Sequence, residues 1–416
     1  MELHEISEQL GAEGHQLIYD ICEVAKYRLP GSEGERKGQE FLQKKMKEYG
    51  ADEIEIVNFY TRAKFFKWWP RLSLFFFILS LIVFHYSPLI TILLIVLMLV
   101  NVGLKLFSYS FLDVLFRKHA SSNVIGKLKA KNMGESGNPK RIIIIGGHTD
   151  STYEFPLGRK YGMNMIYFYL FVLICAFIWL LIAIIIFIIN CFNGIPIINI
   201  NPTITFEWYY VLILILTPII IWIVWNIVSF RPVPGANDNL SGIAVATAVL
   251  KYFASNRLEN VELWAVAFGS EEGGMAGSKA LSKILKEQMN NGTFPADSLW
   301  VLNYDSIASD GPLTIATAEP MYRVKSHDPI VYNQLAKSAK KVGVDYILKK
   351  IDAGTDSAPF SRLGIPSVGI ICGGADGIPQ NWHTREDTPE NCDVKGIIHS
   401  IQSAIQFILD INESLF

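Results

Sequence analysis

His148 and Asp150 stand in Ile142–Ser151, which reads IIIIGGHTDS. A neutral imidazole is a good transition-metal ligand, and a carboxylate nearby can hold its other N–H and fix the tautomer. Taken alone, the pair also suits an ordinary polar turn after a strand. Other clusters carry acids or a second histidine. Gly235–Gly242 (GANDNLSG) sets Asp238 among small residues that let the backbone bend, although Asp is equally at home as a helix N-cap. Ser270–Ser278 (SEEGGMAGS) puts Glu271 beside Glu272. Adjacent glutamates repel, so in a cleft they call for a cation, whereas on a surface they are unremarkable. Asn303–Ser306 (NYDS) contains Asp305, an acid that a turn would also use. Asn381–Pro389 (NWHTREDTP) contains His383, with Asp387 and Thr388 able to order the loop through Asx-type turns. Histidines and carboxylates gathered in one place form a ligand set for a pair of divalent ions in nitrogen and oxygen surroundings, which zinc fits best. A spare glutamate beside a ligand glutamate is what a metal-activated water needs as its general base.

These residues can meet only if the elements carrying them share an edge. Each cluster follows an apolar strand or opens a helix. Ile142–Ile145 reads as a buried central strand that the two glycines end. Val261–Phe268 precedes the glutamates and Leu299–Asn303 precedes Asp305. Glu53–Tyr60, Asn123–Ala130 and Ser367–Cys372 are further strands. Helices are expected at Leu3–Arg28, Glu33–Tyr49, Ile243–Phe253, Ser278–Gln288 and Lys395–Ile411. The pattern is α/β, with a mostly parallel sheet flanked by helices. In such sheets ligands gather at the carboxyl ends of the strands.

Two tracts do not belong to that pattern. Leu72–Leu104 contains no Asp, Glu, Lys or Arg, and neither does the stretch from Tyr161 to Phe206 or from Trp208 to Phe230. The first tract breaks at His85–Pro88 into two spans, the earlier of which needs the Phe65–Trp69 aromatics to reach across a bilayer. The second holds spans at about Met163–Asn190 and Trp208–Val228. The resulting division is 1–66, the first part of a hydrophilic domain; 67–108, a transmembrane hairpin; 109–160, the part with His148; 161–230, a second hairpin; and 231–416, the remainder. Arg62, Lys64, Lys67, Arg71, Lys105, Arg117, Lys118, Arg159, Lys160 and Arg231 flank the hairpins, while the turns at their far ends have no Lys or Arg. The positive-inside rule then expects an integral, multi-pass protein of the plasma membrane with its hydrophilic domain in the cytoplasm.

Composition narrows the function. The 416 residues are 50% hydrophobic, 18% charged, and carry a net charge of −2, with a mean hydropathy of +0.28. Nothing there suggests a nucleic-acid partner. The five cysteines are scattered without CxxC spacing, which argues against a disulfide framework. The charged N-terminus reads as lacking a cleavable signal peptide.

HTDS, GANDNLSG, SEEGGMAGS, NYDS and HTREDT, in that order, resemble the co-catalytic di-zinc aminopeptidase family, which includes bacterial leucyl aminopeptidase, aminopeptidase Y and glutamate carboxypeptidase II. Arg28–Glu35 (RLPGSEGE) resembles the family's N-terminal segment. The resemblance implies two Zn2+ per chain and a peptide substrate. It implies His148, Asp238, Glu272, Asp305 and His383 as metal ligands. Asp238 would bridge, with His148 and Asp305 on one ion and Glu272 and His383 on the other. Glu271 would be the general base and Asp150 the partner of His148. The implied chemistry is hydrolysis of N-terminal residues from peptides, with Glu271 returning its proton to the leaving amine. Two departures stand out. One hairpin precedes the His148 strand and the other separates His148 from Asp238, which suggests that substrate approaches along the bilayer or that the membrane restricts access. Asn237 and Asn239 flank Asp238 where the family often has acids, which would soften metal affinity. The alternatives are a carboxypeptidase, a glutaminyl cyclase-like enzyme of the same fold, and a non-catalytic receptor-like relative. The last is disfavoured by the full ligand set with Glu271, and a transporter by spans without ionisable residues beyond His85.

Overall fold

Isoleucine, valine and leucine alternate between two buried faces along the central strands, and that alternation builds the first unit. The computed structural model describes residues 3–106, 111–132, 139–293, 295, 298–320, 326–373 and 378–415. Its strands are β1 (Glu53–Thr61), β2 (His119–Leu128), β3 (Arg141–His148), β4 (Val261–Phe268), β5 (Leu299–Asp305), β6 (Leu313–Ala318), β7 (Tyr346–Lys350) and β8 (Ser367–Cys372). They form one sheet in the order β1-β2-β4-β3-β5-β8-β6-β7. The pairs β4-β3, β3-β5, β5-β8 and β6-β7 are parallel, and the others antiparallel. Ile143 and Ile145 of β3, with Leu263, Ala265 and Ala267 of β4, pack on one face against helices Leu3–Val24, Ser241–Ser255 and Val394–Ser414. Ile142 and Ile144, with Trp264, Val266 and Phe268, pack on the other against helix Ala276–Asn290. The result is a helix–sheet–helix sandwich, the α/β class expected.

The glycines do not end β3. It runs through Gly146 and Gly147 to His148. A Cβ on Gly147 would lie 2.9 Å from the backbone of Gly242 and 3.0 Å from Tyr304 O, so this glycine lets helix Ser241–Ser255 press onto the sheet. Between Asn303 and Ser367 the sequence pattern predicts no element. There the chain forms β6, helix Pro329–Lys341, β7 and the short helix Ala358–Arg362.

Contacts divide the chain into two units: Met1–Ala63, Arg117–Thr152 and Pro232–Phe416; and Lys64–Phe116 with Tyr153–Arg231. The second unit contains helices Phe65–Val83, Pro88–Leu106, Met165–Phe192 and Trp208–Trp225. All four are long and apolar enough to cross a membrane. They meet around Phe77, Phe84, Trp179 and Tyr210. Trp179 donates to Ser80 Oγ at 3.2 Å, and Asn101 to Ser73 Oγ at 2.9 Å. Ile174, Phe177, Ile185 and Ile215 point outward.

Candidate metal centre

Because β4, β3 and β5 are adjacent and parallel, their carboxyl ends open side by side. His148 is the last residue of β3, Glu271 and Glu272 follow β4, and Asp305 is the last residue of β5. Asp238 comes in on the segment Ala236–Leu240, entered through Gly235 at φ +64°, a left-handed turn that glycine takes without strain. His383 lies in the loop before the last helix.

The side chains converge. His148 Nε2 lies 3.1 Å from Asp238 Oδ1 and 3.8 Å from Asp305 Oδ2. His383 Nε2 lies 3.0 Å from Asp238 Oδ2 and 2.9 Å from Glu272 Oε1. His148–Asp238–Asp305 and Asp238–Glu272–His383 are therefore two compact donor sets, each with its ligand atoms within 4.8 Å, sharing Asp238. Asp238 turns one carboxylate oxygen to each. Glu271 Oε2 is 4.0 Å from His148 Nε2. Its side chain is 13% exposed, slightly more than Asp305 at 11% and about twice Glu272 and Asp238.

The donors fit divalent cations. Buried imidazole and carboxylate converge, and among the described residues no lysine or arginine pairs with these acids. Their protonation says the same. Burial alone would lower both histidines, but the surrounding acids override it and hold His148 well above 6.5 and His383 at about 10. Burial pushes Asp305 up to about 8 and Glu271 well above the ordinary carboxylate range. Burial would raise Asp238 too, yet its hydrogen bonds to both imidazoles bring it below 3.8. Without metal, protons on the histidines supply the positive charge that the acids require.

Backbone strain marks the same place. Ser270, Ser306 and His383 have φ of 55°, 51° and 53°. A left-handed conformation costs such residues roughly 1–2 kcal/mol each. Each belongs to the donor cluster or adjoins Glu271 or Asp305, so surrounding bonds must hold them.

The holding groups are largely ones the motifs left unassigned. His148 Nδ1 faces the main-chain oxygen of Asp150 at 3.0 Å, while Asp150 Oδ1 is 3.8 Å away. The Asp150 carboxylate instead accepts from the amides of Glu271 and Glu272, both at 2.9 Å. Asp387 treats the other loop alike, accepting from Asn237 N at 2.6 Å and Asp238 N at 3.1 Å. Asn239 donates to Tyr304 O at 2.9 Å and accepts from Gly242 N at 3.0 Å and Ser306 N at 3.2 Å. Asn237 donates to Ser309 Oγ and Gln380 O, both at 3.1 Å, and accepts from Ala308 N at 2.7 Å. Each asparagine uses both ends of its amide, which a carboxylate cannot do. Asp356 is fully buried, bonded to Ser278, and raises Glu271 and Asp305 by its charge. Trp382 stacks on His383 with ring centres 4.0 Å apart.

Residues 225–408 match the model of peptidase family M28. That stretch of the chain is therefore similar to the M28 peptidases. No curated protein sequence matches it. Its fold is that of a zinc aminopeptidase from Bacillus subtilis, at 13% identity and TM-score 0.58, over 96% of this chain and 95% of that one. A Zn-dependent exopeptidase from Parabacteroides distasonis aligns at 12% identity and TM-score 0.54, over 96% and 97%. Glutaminyl cyclase from Tannerella forsythia aligns at 12% and 0.56, over 96% and 97%. At these identities the structures establish the fold of the M28-like chain.

Proposed function

We propose that this M28-like chain is a membrane-anchored, zinc-dependent aminopeptidase that holds two metal ions. The supporting observation is the Asp238 carboxylate, with one oxygen toward His148 and Asp305 and the other toward His383 and Glu272. Zinc held there would make a water nucleophilic at neutral pH and polarise a substrate carbonyl. Glu271, the most exposed acid of the set and raised by burial, is suited to take a proton from the attacking water and pass it to the leaving amine. Asp150 holds the amides of Glu271 and Glu272, and so keeps base and ligand side by side.

Anchoring rests on the four apolar helices with their outward-facing isoleucines and phenylalanines. The lysines and arginines at their near ends support a cytoplasmic position for the M28-like unit at the plasma membrane. The hairpins would be 67–108 and 161–230.

The experiment is a set of short peptides, half with free and half with acetylated amino termini, given to the zinc-loaded protein in detergent and read by mass spectrometry. Stepwise loss of residues from free termini only, absent in Glu271→Gln, is the expected result. Trimming from the carboxyl end would make it a carboxypeptidase. Loss of ammonia from N-terminal glutamine without cleavage would make it a cyclase.

A further inference from the structure

Among the buried ionisable residues with no part in that chemistry are Arg28 and Glu35, both fully or almost fully enclosed and both in the segment RLPGSEGE. We propose that they are positioning residues, holding three metal-binding loops in register, with Arg28 bridging the two points between which the second apolar hairpin is inserted. The proposal rests on the metal-site reading above.

Arg28 is a buried guanidinium whose contacts are almost all main-chain oxygens. Its Nε donates to Thr149 O at 2.7 Å, and its Nη2 to Pro234 O and Gly235 O, both at 2.8 Å. Its Nη1 donates to Ala25 O at 3.0 Å, which anchors the fork to its own segment. Its main chain joins in, since Arg28 N donates to Ser151 Oγ and Ser151 N to Arg28 O, each at 3.0 Å. Thr149 lies between His148 and Asp150, and Gly235 leads into Asp238. The first unit leaves off at Thr152 and resumes at Pro232. His148 and Asp238 would share an ion, yet a whole hairpin separates them in the chain. Closing so long a loop carries an entropic cost that grows with its length. Arg28 supplies the joint: one planar fork spans the departing and returning segments, helped by Val233 N donating to Thr152 O at 2.9 Å. A lysine ammonium is a single point of donors and cannot span the same set.

Glu35 serves the third loop. Its Oε1 accepts from Ser270 N at 2.7 Å and Ser270 Oγ at 3.0 Å, and its Oε2 from Gly31 N at 2.7 Å. Ser270 is the left-handed residue that delivers Glu271 and Glu272. Every partner of Glu35 is a donor, so a glutamine would turn its NH2 against one of them.

The test compares the full-length protein in detergent with Arg28→Lys, Glu35→Gln and Leu335→Ala. The last removes a buried side chain in helix Pro329–Lys341, which carries no site residue, and serves as a control for general destabilisation. Amide hydrogen exchange is read first, without metal. Exchange should quicken at least tenfold at Ser270–Glu272 in Glu35→Gln, and at Ser151 and Asn237–Asp238 in Arg28→Lys, and in neither place in Leu335→Ala. Zinc titration is read second. Each clamp variant should bind zinc about 10–100-fold more weakly, the usual cost of losing a group behind the ligands, while Leu335→Ala keeps wild-type affinity. Unchanged loop exchange and affinity in folded variants, or equal changes in Leu335→Ala, would overturn the proposal. If the wild type bound no zinc, the metal-site reading would fall, and the exchange data would still decide the clamp. A clamp variant too unstable to fold leaves the other to decide its own loop.

Discussion

At the scale of single residues, the proposed ligands and the proposed base differ in their partners. Glu271 faces His148 from 4.0 Å and groups with His148 and Glu272, but lies outside the two donor sets that share Asp238. Glu271→Gln should therefore keep both metals and lower kcat by about 10²–10⁴-fold, as read by metal analysis alongside turnover. Asp238→Ala should do the reverse. It removes the carboxylate common to both donor sets, so both metals should be lost together, whereas His148→Ala or Asp305→Ala should weaken one metal first. Stoichiometry by elemental analysis separates these cases. If Asp238→Ala kept one tightly held ion, Asp238 would not be a shared ligand. Asn239→Asp asks whether that asparagine merely replaces an acid. Its amide donates to Tyr304 O, and a carboxylate there would face that oxygen unpaired, so the change should destabilise by about 1–3 kcal/mol rather than tighten zinc.

At the scale of elements, helix Ser241–Ser255 delivers Asp238 to the sheet, and its closeness depends on glycine facing glycine. A Cβ on Gly242 would overlap Tyr304 O, and one on Gly147 would meet Gly242. Gly242→Ala should cost about 1–3 kcal/mol by overpacking, seen as a lower Tm, and should weaken zinc because Asp238 is displaced. An unchanged Tm would mean that the approach is not tight. Much of this frame is legible in the sequence. Val261–Phe268 and Ser367–Cys372 were expected at the limits the structure gives them, because continuous apolar runs bounded by polar turns identify buried strands. Other parts were legible and missed. Helix Pro329–Lys341 has Asp328 as its cap, proline in its first turn, and Val331, Leu335 and Ala339 on its inner face. β7, in contrast, is a five-residue strand exposed along most of its length, with no apolar alternation to read. The site shows the same division. Ligand-type residues stand out by chemistry, whereas Asp387, Arg28 and Glu35 act on backbone amides and carbonyls far away in sequence, which no local pattern reveals.

At the scale of the whole molecule, topology and proton balance are both testable. Cys191, at the end of helix Met165–Phe192, is the one exposed cysteine, and it lies toward the turn expected outside the cell. A membrane-impermeant maleimide should label it in intact cells, Cys191→Ser should abolish that labelling, and Cys22 should react only after permeabilisation. Labelling of Cys22 in intact cells would invert the topology. The metal-free protein should also reveal its site through pH. His383 is raised from 6.5 to about 10, so its stabilising contribution is complete below 6.5 and is lost as pH rises through 10. Asp305 is raised from 3.8 to about 8 and Asp387 to about 7, chiefly by burial. Acids shifted upward hold protons in the folded state that the unfolded chain has released, so stability again falls as pH climbs through that window. Asp238 runs the other way, but its contribution is lost only below its ordinary 3.8. The metal-free Tm should therefore decline from about pH 5 to about pH 9. Zinc requires the same histidines neutral and the same acids ionised, so binding near pH 7 should release protons and stabilise more strongly as pH rises. Calorimetric titration in buffers of different ionisation enthalpy counts the protons, and melting curves with and without zinc give the slopes. If no proton were released and the two slopes were equal, the paired histidines and acids would not be where the metal binds.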